Sequence, residues 1–200
     1  MGKLERIDDH LTFDREAHIF RIDARIVPSF TQCLAVAGLV DYDYVSEYYK
    51  ERGSAVHKAT HYFDEGTLDP DYLESAQVGY LEAWQDCCQD HYCKWTDIER
   101  PVYSIPLQVA GIPDRNGLWD NEPAVVEIKT GDLIPATGIQ LAFQQELIEP
   151  RPKRRIAVRL YENGRYEWKE YKDRDDWKVA KAALTITHFK RRIDGSIISG

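Results

Sequence analysis

A mixed α/β fold, a β-sheet core flanked by helices, is predicted by three observations on the sequence. Two alternating segments, R-R-I-A-V-R-L-Y and R-Y-E-W-K-E-Y, flank Asn163-Gly164, a strong hairpin signal. A further apolar run, Ala124 to Val126, continues into Glu127-Ile128-Lys129, where two charged residues bracket an apolar one. Before and between these strands lie stretches with helical spacing, such as Leu73, Ala76, Tyr80, Trp84 and Cys87. Residues 1–200 are expected to form one domain with a sizeable core, without an internal repeat or linker.

Taken in order, residues 1–27 supply N-terminal strands. I-F-R-I-D-A-R-I-V pairs with Leu11 to Phe13 through a turn at Asp14 to Glu16. Residues 28–93 read as a helical part. Ser29 caps its first helix, Gln32 three residues on completes a capping box, and Gly38 ends it. The second helix runs from Val45 to Asp64. It contains Gly53, which costs about 1 kcal/mol relative to alanine and so suits close packing or an approaching phosphate. Gly66, Asp69 and Pro70 form a loop, and a third helix follows from Asp71 to Tyr92.

Residues 94–190 carry the sheet and a closing helix. Strands are predicted at Trp95 to Tyr103, Leu107 to Asp114 and Ala124 to Thr130, with Asn116-Gly117 as a turn-prone pair. Pro135 to Ile148 is a helix beside the sheet. After the hairpin around Asn163-Gly164, Asp173 to Lys190 forms a helix burying Trp177, Ala180 and Leu184. The tail, residues 191–200, lacks a period and is expected to fray.

Composition narrows the class. Hydrophobic residues make up 43% of the chain, with 12 Tyr and 5 Trp, which argues against disorder outside the ends. No apolar run approaches the ~20 residues of a membrane span, and no basic-then-apolar leader opens the chain. A cytoplasmic protein without membrane association is expected. Cys33, Cys87, Cys88 and Cys93 form no disulfide framework. The crowding of the last three is a pattern that metal sites share, but Cys87 continues the helical stripe and favours buried thiols. The net charge of −8 argues against a polyanionic partner until its distribution is considered. Residues 151–200 hold 14 Lys and Arg against 7 Asp and Glu, and a basic cluster, Arg151, Lys153, Arg154, Arg155 and Arg159, opens that segment. Local charge of this kind governs phosphate binding.

The chemistry concentrates between Gly111 and Gln140. Asp114 follows Pro113, and Glu127 and Lys129 share one face of a strand while Ile128 points the other way. If Asp114 ends the neighbouring strand of a hairpin, two carboxylates and a lysine meet at one point. That is a costly arrangement unless a divalent cation offsets the charge.

G-I-P-D-R, then V-V-E-I-K-T-G and Q-L-A, resembles the PD-(D/E)XK nuclease superfamily in its RecB-type exonuclease branch. P-S-F-T-Q at Pro28 to Gln32, and R-G-S-A-V-H ahead of the core, are similar to further motifs of that branch. The resemblance implies a restriction-endonuclease-like core with the N-terminal helices over the active site. It implies metal-dependent exonuclease action on DNA, often in phage or bacterial recombination, repair or replication, in some relatives with a partner protein or as a ring oligomer. Asp114 and Glu127 would bind Mg2+ or Mn2+ with His57 and the Ile128 carbonyl. Lys129 would hold the attacking water, and Gln140 would contact the phosphate or Lys129. The family's Q-x-x-x-Y motif has Gln144 at its last position here, which leaves that residue's role open. Relatives with an iron–sulfur cluster use cysteines near the C-terminus. None follows Cys93, so no cluster is expected.

Other assignments stay broader. Arg52, Arg115, Arg151, Lys153, Arg154 and Arg155 are candidates for the DNA backbone, and Tyr62 for stacking on a base. His61 shares a helical face with His57, which also allows a zinc site, though the pair lacks the glutamate of a metalloprotease. Glu99 either joins a metal shell or, the favoured role, pairs with Arg100 or Arg115. A structure-specific endonuclease and an inactive nuclease-fold binding module are the competing functions.

Overall fold

In the computed structural model, which describes residues 4–41 and 46–194, the chain opens with a four-stranded antiparallel meander. Its strands are Leu4–Arg6 (β1), Leu11–Asp14 (β2), Ile19–Ile22 (β3) and Arg25–Val27 (β4). Leu11, Phe13, Phe20, Ile22 and Val27 alternate onto its buried face and pack on Ala110. Asp23 and Ala24 close the β3–β4 hairpin, both with positive φ, at 48° and 66°. This matches the two-residue loop that a twisted hairpin prefers.

Phe30–Val36 (α1) begins with the expected capping box, Ser29 to the Gln32 amide and the Gln32 side chain to the Ser29 amide. Glu47–Asp64 (α2) follows; Val45, the expected first residue, lies outside the described residues. The third helix starts later than the sequence suggested. Pro70–Tyr72 turns once as a 3-10 helix, and Ser75–Asp90 (α3) begins only after Glu74, which forms its own capping box with Gln77.

Two of the expected strands are divided differently. Trp95 to Tyr103 breaks at Glu99, where φ is 47°, into Lys94–Ile98 (β5) and Val102–Ser104 (β6). The segment before Asp114 supplies only Val109–Gly111 (β7), which pairs with β6 in a separate ribbon. Asp114 thus stands at the start of a strand, Arg115–Trp119 (β8), rather than at the end of one. Asn116-Gly117 is no turn. It lies inside β8, and a Cβ on Gly117 would stand 2.1 Å from the Lys94 carbonyl oxygen of the neighbouring strand. The turn falls at Asp120-Asn121, with φ of 50° and 64°, leading into Glu122–Lys129 (β9).

Pro135–Leu147 (α4) then crosses to Arg154–Leu160 (β10), which lies parallel to β9, the geometry that requires a crossover. Tyr166–Glu170 (β11) completes a mixed sheet of order β11-β10-β9-β8-β5. Asp176–Asp194 (α5) closes the described chain. It starts three residues later than expected and continues through residues assigned to the tail.

Both faces of the sheet are covered, which explains the near-continuous apolar run of β9. Ala124, Val126, Ile128, Ile156, Val158 and Leu160 face α2 and α3, meeting Val56, Tyr80, Trp84 and Cys87. Val125 and Ala157 face α4 and pack on Leu141 and Ile148. Of the N-terminal helices, α2 and α3 reach the sheet; α1 packs instead on α4 and α5 through Phe30, Cys33 and Leu34. All four cysteines are free thiols, Cys33 and Cys87 buried and Cys88 and Cys93 half-buried. Burial pushes the Cys33 thiol up to about 12. No helix among the described residues is long and apolar enough to cross a membrane.

Candidate active site

The site forms where β8 begins and β9 ends. Antiparallel pairing sets Arg115 opposite Val126, so the preceding residue, Asp114, reaches the level of Glu127. The Asp114 side chain is fixed by the main chain, its Oδ2 accepting the Ile128 N–H at 2.7 Å. Glu127 and Lys129 project from the same face of β9 toward α4, as strand alternation requires. Lys129 Nζ donates to Glu127 Oε1 at 2.7 Å and to Gln140 Oε1 at 3.2 Å.

The α4 helix brings two amides, spaced by four residues and so on one helical face. Gln140 Nε2 donates to Glu127 Oε1 and Gln144 Nε2 to Glu127 Oε2, each at 2.6 Å. Gln144, whose role the sequence left open, is therefore the second amide holding the Glu127 carboxylate. From the other face, α2 places His57 Nδ1 3.4 Å from Asp114 Oδ1. Asp114, Glu127, Gln140 and Gln144 are all buried.

Burial and the neighbouring charges oppose one another here. Burial raises the Glu127 pKa and the Asp114 carboxylate raises it further, against the opposing pull of Lys129. Burial alone would raise Asp114 too, but the His57 imidazole, the Lys129 ammonium and the Ile128 N–H together outweigh it and hold Asp114 below the usual carboxylate range. The His57 pKa is raised: burial lowers it, and Asp114 and Glu127 more than compensate. Two adjacent buried carboxylates of unequal acidity, with an imidazole and an ammonium between them, are the result.

The donors suit a hard divalent cation: carboxylate oxygens, a neutral imidazole and main-chain oxygen. Gln144 Oε1, on the amide that grips Glu127, is buried without a hydrogen-bond donor and adds an unsatisfied acceptor to the same lining. Among the described residues no three His, Cys, Asp or Glu side chains stand grouped closely enough to hold an ion as they are.

Several expected residues take other places. His61 contacts Glu65 at 3.3 Å and Glu99 at 3.2 Å, whereas His57 contacts Asp114, so the two imidazoles serve different carboxylates. Glu99 thus pairs with His61 rather than Arg100 or Arg115, and its N–H donates to the Asp114 carbonyl at 2.9 Å. Arg115 is fully buried, donating to Asp64 at 2.6 Å, the Asp114 carbonyl at 2.7 Å and Thr60 at 3.3 Å. This corrects its assignment to the DNA backbone: it fastens β8 to α2. Arg155 needs the same correction, since it is buried and donates to the carbonyls of Gly138, Tyr171 and Asp173.

Arg151, Lys153 and Arg154 of the basic cluster lie away from the site. Arg154 is aligned with Ala124, five residues up β9 from Lys129, or about 17 Å at strand rise. It pairs with Asp120 and Glu170, and Arg151 pairs with Glu146. Lys153 is exposed at that same end. Two arginines do flank the Lys129 end of β9: Arg159, the Cα partner of Lys129, and Arg52, whose Nη2 donates to the Thr130 carbonyl at 3.2 Å. Gly53 leaves room for a Cβ at ordinary distance, 3.8 Å from Thr130 Oγ1, so packing does not require it.

Asp64 and Thr60, which bury Arg115, were not singled out in the sequence. No local pattern marks them, because their partner lies 51 and 55 residues away. Gln144 carried a readable signal, its four-residue spacing from Gln140.

The chain matches no protein-family model and no curated protein sequence. Among solved structures it is similar to a Eubacterium rectale protein described as a "putative exonuclease". The TM-score is 0.51 at 12% identity, covering 82% of this chain and 74% of that one. A second, SSO0001, has 15% identity over 84% and 85% of the two chains but a TM-score of 0.36, too low to carry an argument. At 12% identity the first likeness is one of fold, and the fold shared is a mixed α/β sheet flanked by helices.

Proposed function

We propose that the chain is a Mg2+- or Mn2+-dependent deoxyribonuclease that removes nucleotides from DNA ends. The observation that carries this reading is the convergence of Asp114, Glu127 and Lys129 from two strands, with His57 and Gln140 closing on them from two helices. The fold shared with a protein described as an exonuclease supports it.

Asp114, Glu127, the Ile128 carbonyl and His57 would hold the divalent ion, which supplies positive charge against the transferring phosphoryl group. Lys129 positions the attacking water and favours its deprotonated form by proximity of the ammonium. Gln140, already bonded to both Lys129 and Glu127, fixes the distance between the two.

The test is degradation of end-labelled linear DNA with Mg2+ or Mn2+, wild type beside Lys129→Ala. Ladder products from the wild type and none from the variant are expected, with covalently closed circles left intact. Cutting of the circles would replace the exonuclease by an endonuclease. No cleavage by folded wild type with either ion would overturn the enzyme reading.

A further inference from the structure

One residue beyond Lys129 the sheet opens into a cleft of about 740 Å3. Its walls include Tyr49 and Arg52 from α2, Tyr80 from α3, Thr130 from the end of β9, and Arg159 and Tyr161 from the end of β10. Arg159 is aligned with Lys129 on the adjacent parallel strand and Thr130 follows Lys129 in the chain, so the cleft begins beside the candidate active site. It was not foreseen, because the sequence separates its arginines by more than a hundred residues.

Two features identify what the cleft accepts. First, Arg52 and Arg159 each keep a buried Nε–H without a hydrogen-bond partner. Each guanidinium also carries further N–H donors besides its present bond to the Thr130 carbonyl or to Asp132, and two such groups on one cleft suit an anion with several acceptor oxygens. Second, each arginine lies over a tyrosine ring, Arg52 over Tyr49 at 4.8 Å and Arg159 over Tyr161 at 4.6 Å. Tyr49 is 53% exposed. Alternating guanidinium and aromatic groups match a strand of phosphates with unpaired bases, whereas a duplex keeps its base faces covered.

The acidic groups of the cleft do not oppose this. Asp132 meets Arg159 at 2.7 Å, but its side chain is 77% exposed, and a phosphate oxygen can exchange with it. Glu167, at 3.5 Å from Arg159, is half exposed, and Glu162 is exposed at the rim. The cleft's shape is held from below. Gly79 of α3 passes so close to the hairpin turn that a Cβ there would stand 1.7 Å from the Glu162 carbonyl oxygen.

We propose that this cleft is a subsite for single-stranded DNA adjoining the scissile phosphate. Arg52 and Arg159 hold a backbone phosphate, and Tyr49 and Tyr161 present ring faces to the neighbouring base. The nuclease reading supplies the identity of the reacting phosphate; the preference for a single strand rests on the cleft itself.

Binding is measured by fluorescence anisotropy of a labelled oligothymidylate in EDTA, where no cleavage occurs, against a blunt hairpin duplex. Wild type binds the single strand more tightly than the duplex. Arg159→Gln and Tyr161→Leu each weaken single-strand binding about 10-fold, and Arg159→Gln makes the log–log salt slope shallower by about 0.7. Photocrosslinking of wild type to an iodouracil oligonucleotide needs no variant, and its adduct falls on a peptide containing Tyr49 or Tyr161. Unchanged binding by both variants, tighter binding of the duplex, or adducts only elsewhere would overturn the proposal. The same preparations are then given Mg2+. Single-strand binding that depends on Arg159 without any DNA degradation keeps the subsite and removes the nuclease reading. Degradation with variants that bind and cleave like wild type removes the subsite alone.

Discussion

Gln144 donates its side-chain amide to Glu127 Oε2 at 2.6 Å from a position without solvent exposure. The other carboxylate oxygen is shared by Lys129 and Gln140, so both oxygens of a buried anion are held by named donors. A hydrogen bond to a charged buried group contributes about 1.5–3 kcal/mol. Gln144→Leu keeps the volume and removes that donor. DNA cleavage in Mg2+ is expected to fall about 10- to 100-fold, and Gln144→Glu, which adds a third carboxylate, to fall further. A Gln144→Leu enzyme with the wild-type rate would show that the amide only fills space.

Arg115 and Asp64 form a buried ion pair at 2.6 Å, with Trp84 Nε1 also donating to Asp64 at 2.9 Å. Removing one partner leaves an uncompensated buried charge, which costs about 3–5 kcal/mol. Arg115→Met should therefore lower the urea midpoint strongly. The double variant Arg115→Met, Asp64→Leu should regain much of that stability, since an apolar pair of similar volume replaces the ions. Cleavage should not recover, because the Asp114 carbonyl has lost its guanidinium donor. Equal stability of single and double variants in urea titrations would contradict this account.

Acid sensitivity should have a traceable component at the outer strand. Burial pushes the Glu170 carboxyl up, but hydrogen bonds from Arg154 and Lys172 outweigh it and hold the group below its ordinary value. A depressed acid contributes stability that is complete above the unfolded pKa, 4.5, and is lost as pH falls through the lower folded value. Glu170→Gln is therefore expected to be less stable than wild type at pH 7 by about 1 kcal/mol. The two unfolding curves should converge as pH falls below that folded value. A difference that stays constant through the whole acid range would assign the loss to packing.

The β3–β4 turn holds Ala24 at φ 66°, where an L side chain is strained. Ala24 is exposed, so nothing depends on its methyl group. Ala24→Gly is expected to stabilise the fold by about 0.5–1 kcal/mol, the relief of left-handed strain less the greater unfolded-state entropy of glycine. Thermal melts of the two proteins test it directly.

Much of this fold was legible because local chemistry and final structure agree. The Ser29–Gln32 capping box, the Asn163-Gly164 hairpin and the Glu127/Lys129 alternation each depend on residues close in sequence, and each is present. Asn116-Gly117 misled because its turn propensity competes with a tertiary demand, the close passage of the Lys94 backbone, that no local window contains. The basic cluster misled for a related reason. Its proximity in sequence to the E-I-K segment says nothing of register, and the α4 crossover returns the chain to the far end of β9. Arg52, named on its helix without a partner, and Arg159 become neighbours only through the parallel pairing that this crossover creates.

The alternation of β9 has a consequence for folding as well as for chemistry. A slip of β9 by one residue would turn Glu127 and Lys129 into the apolar layer of Tyr80, Trp84 and Cys87 and offer Ile128 to the amides of Gln140 and Gln144. Both substitutions of environment are unfavourable, since the ions would lose every partner and the amides would face hydrocarbon. The charged pair therefore acts as an alignment key for the central strand. A variant that made residues 127 and 129 apolar would lose more than a reaction: it would lose the penalty that keeps misaligned sheets rare.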